Sequence, residues 1–258
     1  HAADRKRDAR LSAIKTRVDA EKYIAEIRRK LEKSFGPIPP AVPFDAKVTG
    51  QLETEKLMID KVLFQSRPGY VVSALFYRPK TRKGKFPGVL FLCGHSDAGK
   101  AAKIYQRVPQ SLALRGFGVL AVDPYGQGER REFGGGAAAE HNRFGHRLGL
   151  VGEFFGTWHL HDAMTALEYL KQRPEIDASK LGATGCSGGG TLTSYLNAFS
   201  RDLTMIAPVC SMTRLSSNLE NELYTDCEQN PPRFRELGLD EGDLLIASAP
   251  RPVILGVQ

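Results

Sequence analysis

The chain has 258 residues, 41% of them hydrophobic, 25% charged and 9% aromatic, which supplies a sizeable core and excludes collagen-like, disordered and disulfide-scaffold proteins. No run approaches the roughly 20 apolar residues that cross a bilayer, so no membrane span is expected. The net charge is +7, but residues 1–33 hold eleven Lys/Arg against six Asp/Glu and the remainder carries only +2, too little for a nucleic-acid-binding face on the main domain.

Residues 1–35 read as one basic helix. Leu11, Ile14 and Val18, then Ile24, Ile27, Leu31 and Phe35, recur three or four apart with a slip between the sets, and this stripe is expected to dock on the domain. Gly36-Pro37-Ile38-Pro39-Pro40 stops that helix, since proline lacks the N–H a helix needs, and residues 36–45 form a Pro-rich linker. The main domain then covers 46–258. Residues 47–65 and 70–78 alternate as strands joined by the turn Arg67-Pro68-Gly69, an antiparallel hairpin.

From there the pattern changes to buried strands alternating with helices: strand 87–93, helix 106–115, strand 117–122, helix 158–172, strand 181–184, helix 188–199, strand 203–209, helix 243–248 and strand 252–257. Strands that are apolar throughout and alternate with helices predict a mostly parallel sheet covered on both faces. Between them, residues 126–157 read as a long Gly-rich loop beside the site, in which His141 and His146 are expected on a lid. Arg130, Arg131, Arg143 and Arg147 are candidates for engaging carboxylates of a ligand, and Phe133, Phe144, Phe154 and Phe155 offer apolar faces to it. The plainer alternative is a surface loop whose phenylalanines pack on the core.

Three motifs follow strands. Gly185-Cys186-Ser187-Gly188-Gly189 fits G-x-S-x-G between a strand and a helix, where small neighbours permit a strained turn that presents Ser187 Oγ as a nucleophile and Gly188 N–H as an oxyanion donor. Cys93-Gly94-His95-Ser96-Asp97-Ala98-Gly99-Lys100 lies where a second donor is needed, and His95 or Ser96 is expected to supply it. Asp123-Pro124-Tyr125-Gly126-Gln127-Gly128-Glu129-Arg130 ends another strand. Cys186, Ser96, Tyr125, Gln127 and Arg130 are accordingly candidates for lining the substrate pocket.

Together these motifs resemble the α/β-hydrolase superfamily, in particular its bacterial acetyl xylan esterase-like and prolyl-oligopeptidase-like branch. The segments Trp158-His159-Leu160-His161-Asp162-Ala163 and Asp226-Cys227-Glu228-Gln229-Asn230-Pro231-Pro232 share in that resemblance. It covers roughly residues 50–258. Gly185-Cys186-Ser187 is also similar to glucuronoyl esterases, which carry an arginine after the serine where this chain has Gly188. The resemblance implies an α/β-hydrolase fold and hydrolysis of a carbohydrate ester such as acetylated xylan or pectin, with a small-molecule or polysaccharide ester as substrate.

A serine hydrolase also needs an imidazole base and a carboxylate that orients it, and in this superfamily the chain order is nucleophile, acid, histidine. All six histidines (His1, His95, His141, His146, His159, His161) precede Ser187. A final apolar strand left as a bare sheet edge is an aggregation hazard, so a C-terminal part of the fold, carrying the acid and histidine, is expected beyond Gln258. His159 and His161 are then expected at a helix start, with Asp162 a structural carboxylate.

No metal site is expected, because His141/His146 and His159/His161 lack ligand spacing on a helix, and no cofactor, because no phosphate loop is present. The four cysteines (Cys93, Cys186, Cys210, Cys227) form no C-x-x-C pair, so neither a zinc ribbon nor a dithiol centre is supported, and one or two disulfides stay open. A secreted or periplasmic setting is favoured, although no signal peptide is recognisable. The competing readings are a prolyl-oligopeptidase-type serine peptidase and a catalytically silent hydrolase-fold binding module.

Overall fold

A computed structural model describes residues 2–81, 84–221 and 226–257. A seven-stranded sheet organises the chain: β1 (Lys47–Glu53), β2 (Leu57–Arg67), β3 (Tyr70–Pro79), β4 (Phe86–Leu92), β5 (Gly118–Val122), β6 (Ile176–Cys186) and β7 (Met205–Val209), in the order β1-β2-β3-β5-β4-β6-β7. β1, β2 and β3 run antiparallel to their neighbours, and β5, β4, β6 and β7 are parallel. Every residue of β5 is buried, as expected of a strand covered on both faces, whereas the edge strand β1 leaves Val48 and Leu52 exposed. The 47–65 segment divides into β1 and β2 around Thr54, whose backbone and side chain close a turn with Leu57.

Eight helices are found among the described residues: α1 (Ala2–Ser12), α2 (Arg17–Phe35), α3 (Lys103–Leu114), α4 (Ala137–Leu150), α5 (Phe155–Gln172), α6 (Gly188–Phe199), α7 (Leu215–Glu220) and α8 (Glu241–Ile246). On one face, Tyr105 and Ala113 of α3 pack with Phe91, Val119 and Ala121. The larger core on the other face gathers Ile27, Leu31 and Phe35 of α2, Leu160 and Leu170 of α5, and Leu192 and Leu196 of α6 against β2 to β7.

The basic N-terminal segment is two helices, not one. Thr16 caps α2 by accepting from Asp19 N–H while Asp19 Oδ2 accepts from Thr16 N–H, and this capping box restarts the helix where the apolar pattern slips. The restart moves the buried stripe to Tyr23, Ile27, Leu31 and Phe35, with Val18 exposed. Residue 1 lies outside the described residues.

The expected loop over 126–157 contains the fourteen-residue helix α4. Its buried positions are Ala137, Glu140, His141 and Gly145, so an inward face made of small and polar residues hid its period. Phe154 and Phe155 are core residues, which bears out the plainer alternative for those two. The expected strand over 252–257 is reduced to two parallel bridges, Ile206 with Val253 and Val209 with Gly256. Among the described residues no helix is long and apolar enough to cross a membrane.

Candidate active site

β6 delivers its carboxyl end to Ser187, and α6 departs immediately after it. Ser187 sits at φ 57°, ψ −124°, a conformation that costs an L-residue about 1–3 kcal/mol and persists only where the surroundings impose it. They do so here by close approach. A Cβ on Gly189 would lie 2.0 Å from the Leu92 carbonyl oxygen, and one on Gly185 would lie 2.4 Å from the same atom, so both flanking glycines let α6 and β6 press against the end of β4. Ser187 N–H is fixed on the Val209 carbonyl at 2.9 Å.

Gly188 N–H opens α6, where helical amides have no intrahelical partner and the dipole favours negative charge. Of the two residues after β4 considered as the second donor, Ser96 has its N–H committed to the Gln127 side-chain oxygen, which leaves His95. The His95 ring lies over the Gly188 α-carbon: a Cβ there would be 2.8 Å from His95 Cε1 and 2.5 Å from Glu228 Oε1. That crowding gives the physical reason why glycine follows the serine in this chain.

Ser187 opens onto a cavity of about 560 Å³ whose walls include Thr191, Ser211, Met212, Thr213, Gln229 and Glu241. These come from α6 and from the segments after β7, not from the 123–130 loop expected to border the pocket. Cys186 adjoins Ser187 without lining that cavity, and its thiol pKa is raised by burial and by the neighbouring Cys210. All four cysteines are free. Burial and the adjacent Asp240 push the Glu241 carboxyl up to about 7, against the pull of the Thr213 N–H it accepts.

Tyr125, Gln127 and Arg130 are buried in the scaffold instead. The loop that carries them folds around the Asp123 carboxylate, which accepts from Lys100 N–H at 2.7 Å, Ser73 Oγ at 2.8 Å and Glu129 N–H at 3.1 Å. Arg130 donates to the Asp123 carbonyl at 2.8 Å and to Asp162 Oδ2 at 2.7 Å, while the Tyr125 ring packs against Phe144 at a tilt of 31° with centroids 4.9 Å apart. The motif after β5 thus builds the wall that holds the site. Asp162, expected to be structural, is the buried partner of Arg130 and Arg67.

Behind Gly188 the structure assembles a cluster that sequence spacing did not reveal. His95 Nε2 is 2.5 Å from Asp226 Oδ2 and 3.3 Å from Glu228 Oε1, and His141 Nδ1 is 3.0 Å from Asp226 Oδ2. His159, one turn into α5 and not at its start, sets Nδ1 2.7 Å from Glu228 Oε2. Burial opposes charge on His95 and His141, but the Asp226 hydrogen bond and the Glu228 field outweigh it and raise both pKa values. Burial prevails at His159 and lowers its pKa, while the imidazoles hold Asp226 and Glu228 below the usual carboxylate range despite their own burial. His141 pairs with His95, 46 positions away, and not with His146. The sequence signal for Asp226 and Glu228 was the Asp226–Pro232 segment, quoted above for its resemblance and given no role.

A family model described as acetyl xylan esterase matches residues 46–219, about two thirds of the chain. The Bacillus subtilis (strain 168) protein YtaP is 28% identical over 197 residues, which cover 72% of this chain and 64% of YtaP. The methylesterase BT1017 superposes with a TM-score of 0.79 at 21% identity, over 98% of this chain and 55% of that one. A glucuronoyl esterase from Solibacter usitatus does so with a TM-score of 0.66 at 17% identity, over 90% of this chain and 72% of that one. The chain therefore spans less than two thirds of YtaP and of the methylesterase, and at these identities the structural likeness is one of fold. With the parallel sheet, the turn at Ser187 and a match from β1 through most of α7, the chain belongs to the acetyl xylan esterase (AXE1) family of the α/β-hydrolase superfamily.

Proposed function

We propose that the protein is a serine-dependent carboxylic ester hydrolase that removes acyl or alkyl ester groups from a carbohydrate. The observation that carries this reading is Ser187 in its strained turn at the carboxyl end of β6, with the start of α6 behind it and a cavity of about 560 Å³ in front. Ser187 Oγ attacks the ester carbonyl, and Gly188 N–H and His95 N–H receive the oxyanion of the tetrahedral intermediate. Departure of the alcohol leaves an acyl-enzyme that water hydrolyses. Among the described residues no imidazole hydrogen-bonds Ser187 Oγ. Following the superfamily's order of nucleophile, acid and histidine, we assign the base and its carboxylate to sequence after Gln258.

Family membership supports an acetyl ester on xylan as the first substrate to test, with a uronate methyl ester second. Thr191, Ser211, Thr213 and Gln229 offer hydrogen-bonding groups for sugar hydroxyls, beside the apolar Met212. Arg130, committed to Asp162, is withdrawn as a uronate ligand. The test is acetate release from acetylated xylan and from an aryl acetate by the full-length gene product and by its Ser187→Ala variant. The expected result is a loss of at least roughly 10⁴-fold in kcat, since nucleophile removal in a serine hydrolase costs up to about 10⁶. Turnover that survives Ser187→Ala within tenfold overturns the assignment. Full activity from residues 1–258 alone would place the base among the upstream histidines.

A further inference from the structure

We propose that His95, His141, Asp226 and Glu228 form a closed binding site for one divalent cation of the zinc class. Their four ligand atoms all lie within 4.8 Å of one another. His95 Nε2 stands 3.2 Å from His141 Nδ1 and 3.3 Å from Glu228 Oε1, close to the edges of a tetrahedron, while His141 Nδ1 is 3.6 Å from the other Glu228 oxygen, Oε2. Bonds of about 2.0–2.1 Å to nitrogen and oxygen give edges of roughly 3.3 Å. The edges to Asp226 Oδ2, 2.5 and 3.0 Å, must lengthen, and Glu228 must turn one oxygen to the ion.

A second observation is independent of this spacing. His141, 1% exposed, points Nε2 at the Tyr125 carbonyl at 2.7 Å, and because a carbonyl only accepts, a proton is fixed on that nitrogen. With Nε2 occupied by that proton, Nδ1 faces two carboxylates that only accept, so the contact needs either a second proton on the ring or a cation between the groups. Three acceptors converge with His95 Nε2 in a buried space, and His159 Nδ1 reaches one of them, Glu228 Oε2, from outside at 2.7 Å. A divalent cation at that point satisfies all four and offsets both carboxylate charges.

The surroundings are those of a metal site's outer layer, which orients ligands and sharpens affinity. Tyr125 O fixes the His141 tautomer, His159 Nδ1 holds Glu228 Oε2 at 2.7 Å, and Glu228 N–H donates to Asp226 Oδ1 at 3.1 Å. Two imidazoles with two carboxylates suit Zn²⁺ over the oxygen-seeking Mg²⁺ and Ca²⁺. Four protein ligands leave no open position, so the ion is structural and ties the loop after β4, helix α4 and the 226–229 turn together behind Gly188.

The test is made on protein stripped by chelator and repurified. Added Zn²⁺ should bind at one equivalent per chain and raise Tm with saturation at that ratio, whereas Mg²⁺ and Ca²⁺ should not. Asp226→Asn should abolish uptake. His159→Gln, which keeps all four ligands, should weaken it roughly 10–100-fold. Should Asp226→Asn fail to fold, His95→Gln on the partly exposed loop serves the same purpose. Co²⁺ substitution should give the visible bands of a tetrahedral nitrogen and oxygen site without a thiolate charge-transfer band.

Absence of Zn²⁺ uptake together with an unmoved Tm overturns the proposal and leaves a cluster bridged by protons. A thiolate band overturns it in favour of the cysteines. These readouts need no ester turnover, so the outcome is separate from that of the esterase reading.

Discussion

Replacing Arg130 by methionine removes the positive member of a buried pair and leaves its other contacts to fail in turn. Arg130 Nη2 is 2.7 Å from Asp162 Oδ2, each residue is 7% exposed, and the only other cation on that carboxylate among the described residues, Arg67, stands off at 3.4 Å. Stranding a buried charge costs about 3–5 kcal/mol. The Asp123 carbonyl loses its Nη1 donor as well, for about 1 kcal/mol, while Arg67 can move in and recover part. We therefore expect a loss of about 3–5 kcal/mol, read as a fall in Tm of roughly 6–20 °C for a chain of this size. Urea unfolding followed by the single tryptophan suits the measurement, because Trp158 lies beneath the Arg67 guanidinium at 4.5 Å and so reports on this region. The double change Arg130→Met with Asp162→Leu should recover part of the loss, since neither member of that pair is then stranded although Arg67 loses its carboxylate partner. Turnover per folded molecule should not change. A destabilisation below about 1 kcal/mol would refute the buried-pair argument, and a hundredfold drop in kcat/KM at unchanged stability would return Arg130 to the substrate pocket.

Gly188→Ala should cost about 1–3 kcal/mol and lower kcat, because its Cβ would enter the space of Glu228 Oε1 and the His95 ring; a variant as stable and active as the parent contradicts that packing. Ser187→Gly should be about 1 kcal/mol more stable than Ser187→Ala in urea titrations, since φ 57° with ψ −124° is open to glycine and strained for alanine; the reverse ranking would show that the turn is unstrained. Glu241, held near 7 in the fold against 4.5 as its ordinary value, should stabilise by up to about 3 kcal/mol below pH 4.5 and lose that contribution as pH rises through 7. The urea midpoint of the parent minus that of Glu241→Gln, followed from pH 4 to 9, should fall as pH rises from about 4.5 to 7 and then level off, and a flat or rising difference would show that Glu241 titrates normally.

What the sequence disclosed is what local pattern can encode. β4, β5 and β7 are apolar runs, and the turn at Ser187 is a five-residue motif whose first and last glycines answer to one carbonyl, that of Leu92. α4 escaped because burial there falls on Glu140, His141 and Gly145, residues that carry no hydrophobic period. The pocket was misplaced for a related reason. Asp123-Pro124-Tyr125-Gly126-Gln127-Gly128 ends a strand on the correct side of the sheet, but its polar groups turn inward to satisfy one another. The cluster behind Gly188 joins residues 85 and 131 positions apart, and only a three-dimensional arrangement can supply that adjacency.

The Asp243 carboxylate, fully buried in α8, is reached from the far end of the chain: Arg7 donates to it at 2.8 Å and Tyr23 at 3.0 Å, across 236 and 220 residues. The same carboxylate completes the cap of its own helix by accepting from Asp240 N–H. Contacts this distant in sequence close the largest loops and give the least return until most of the chain is in place. α8 should therefore be among the last elements to consolidate and among the first to loosen. Because α8 begins at Glu241 in the wall of the Ser187 cavity, a protease cut in the short break between α1 and α2 would be felt at the mouth of that cavity, although no residue of that break lines it.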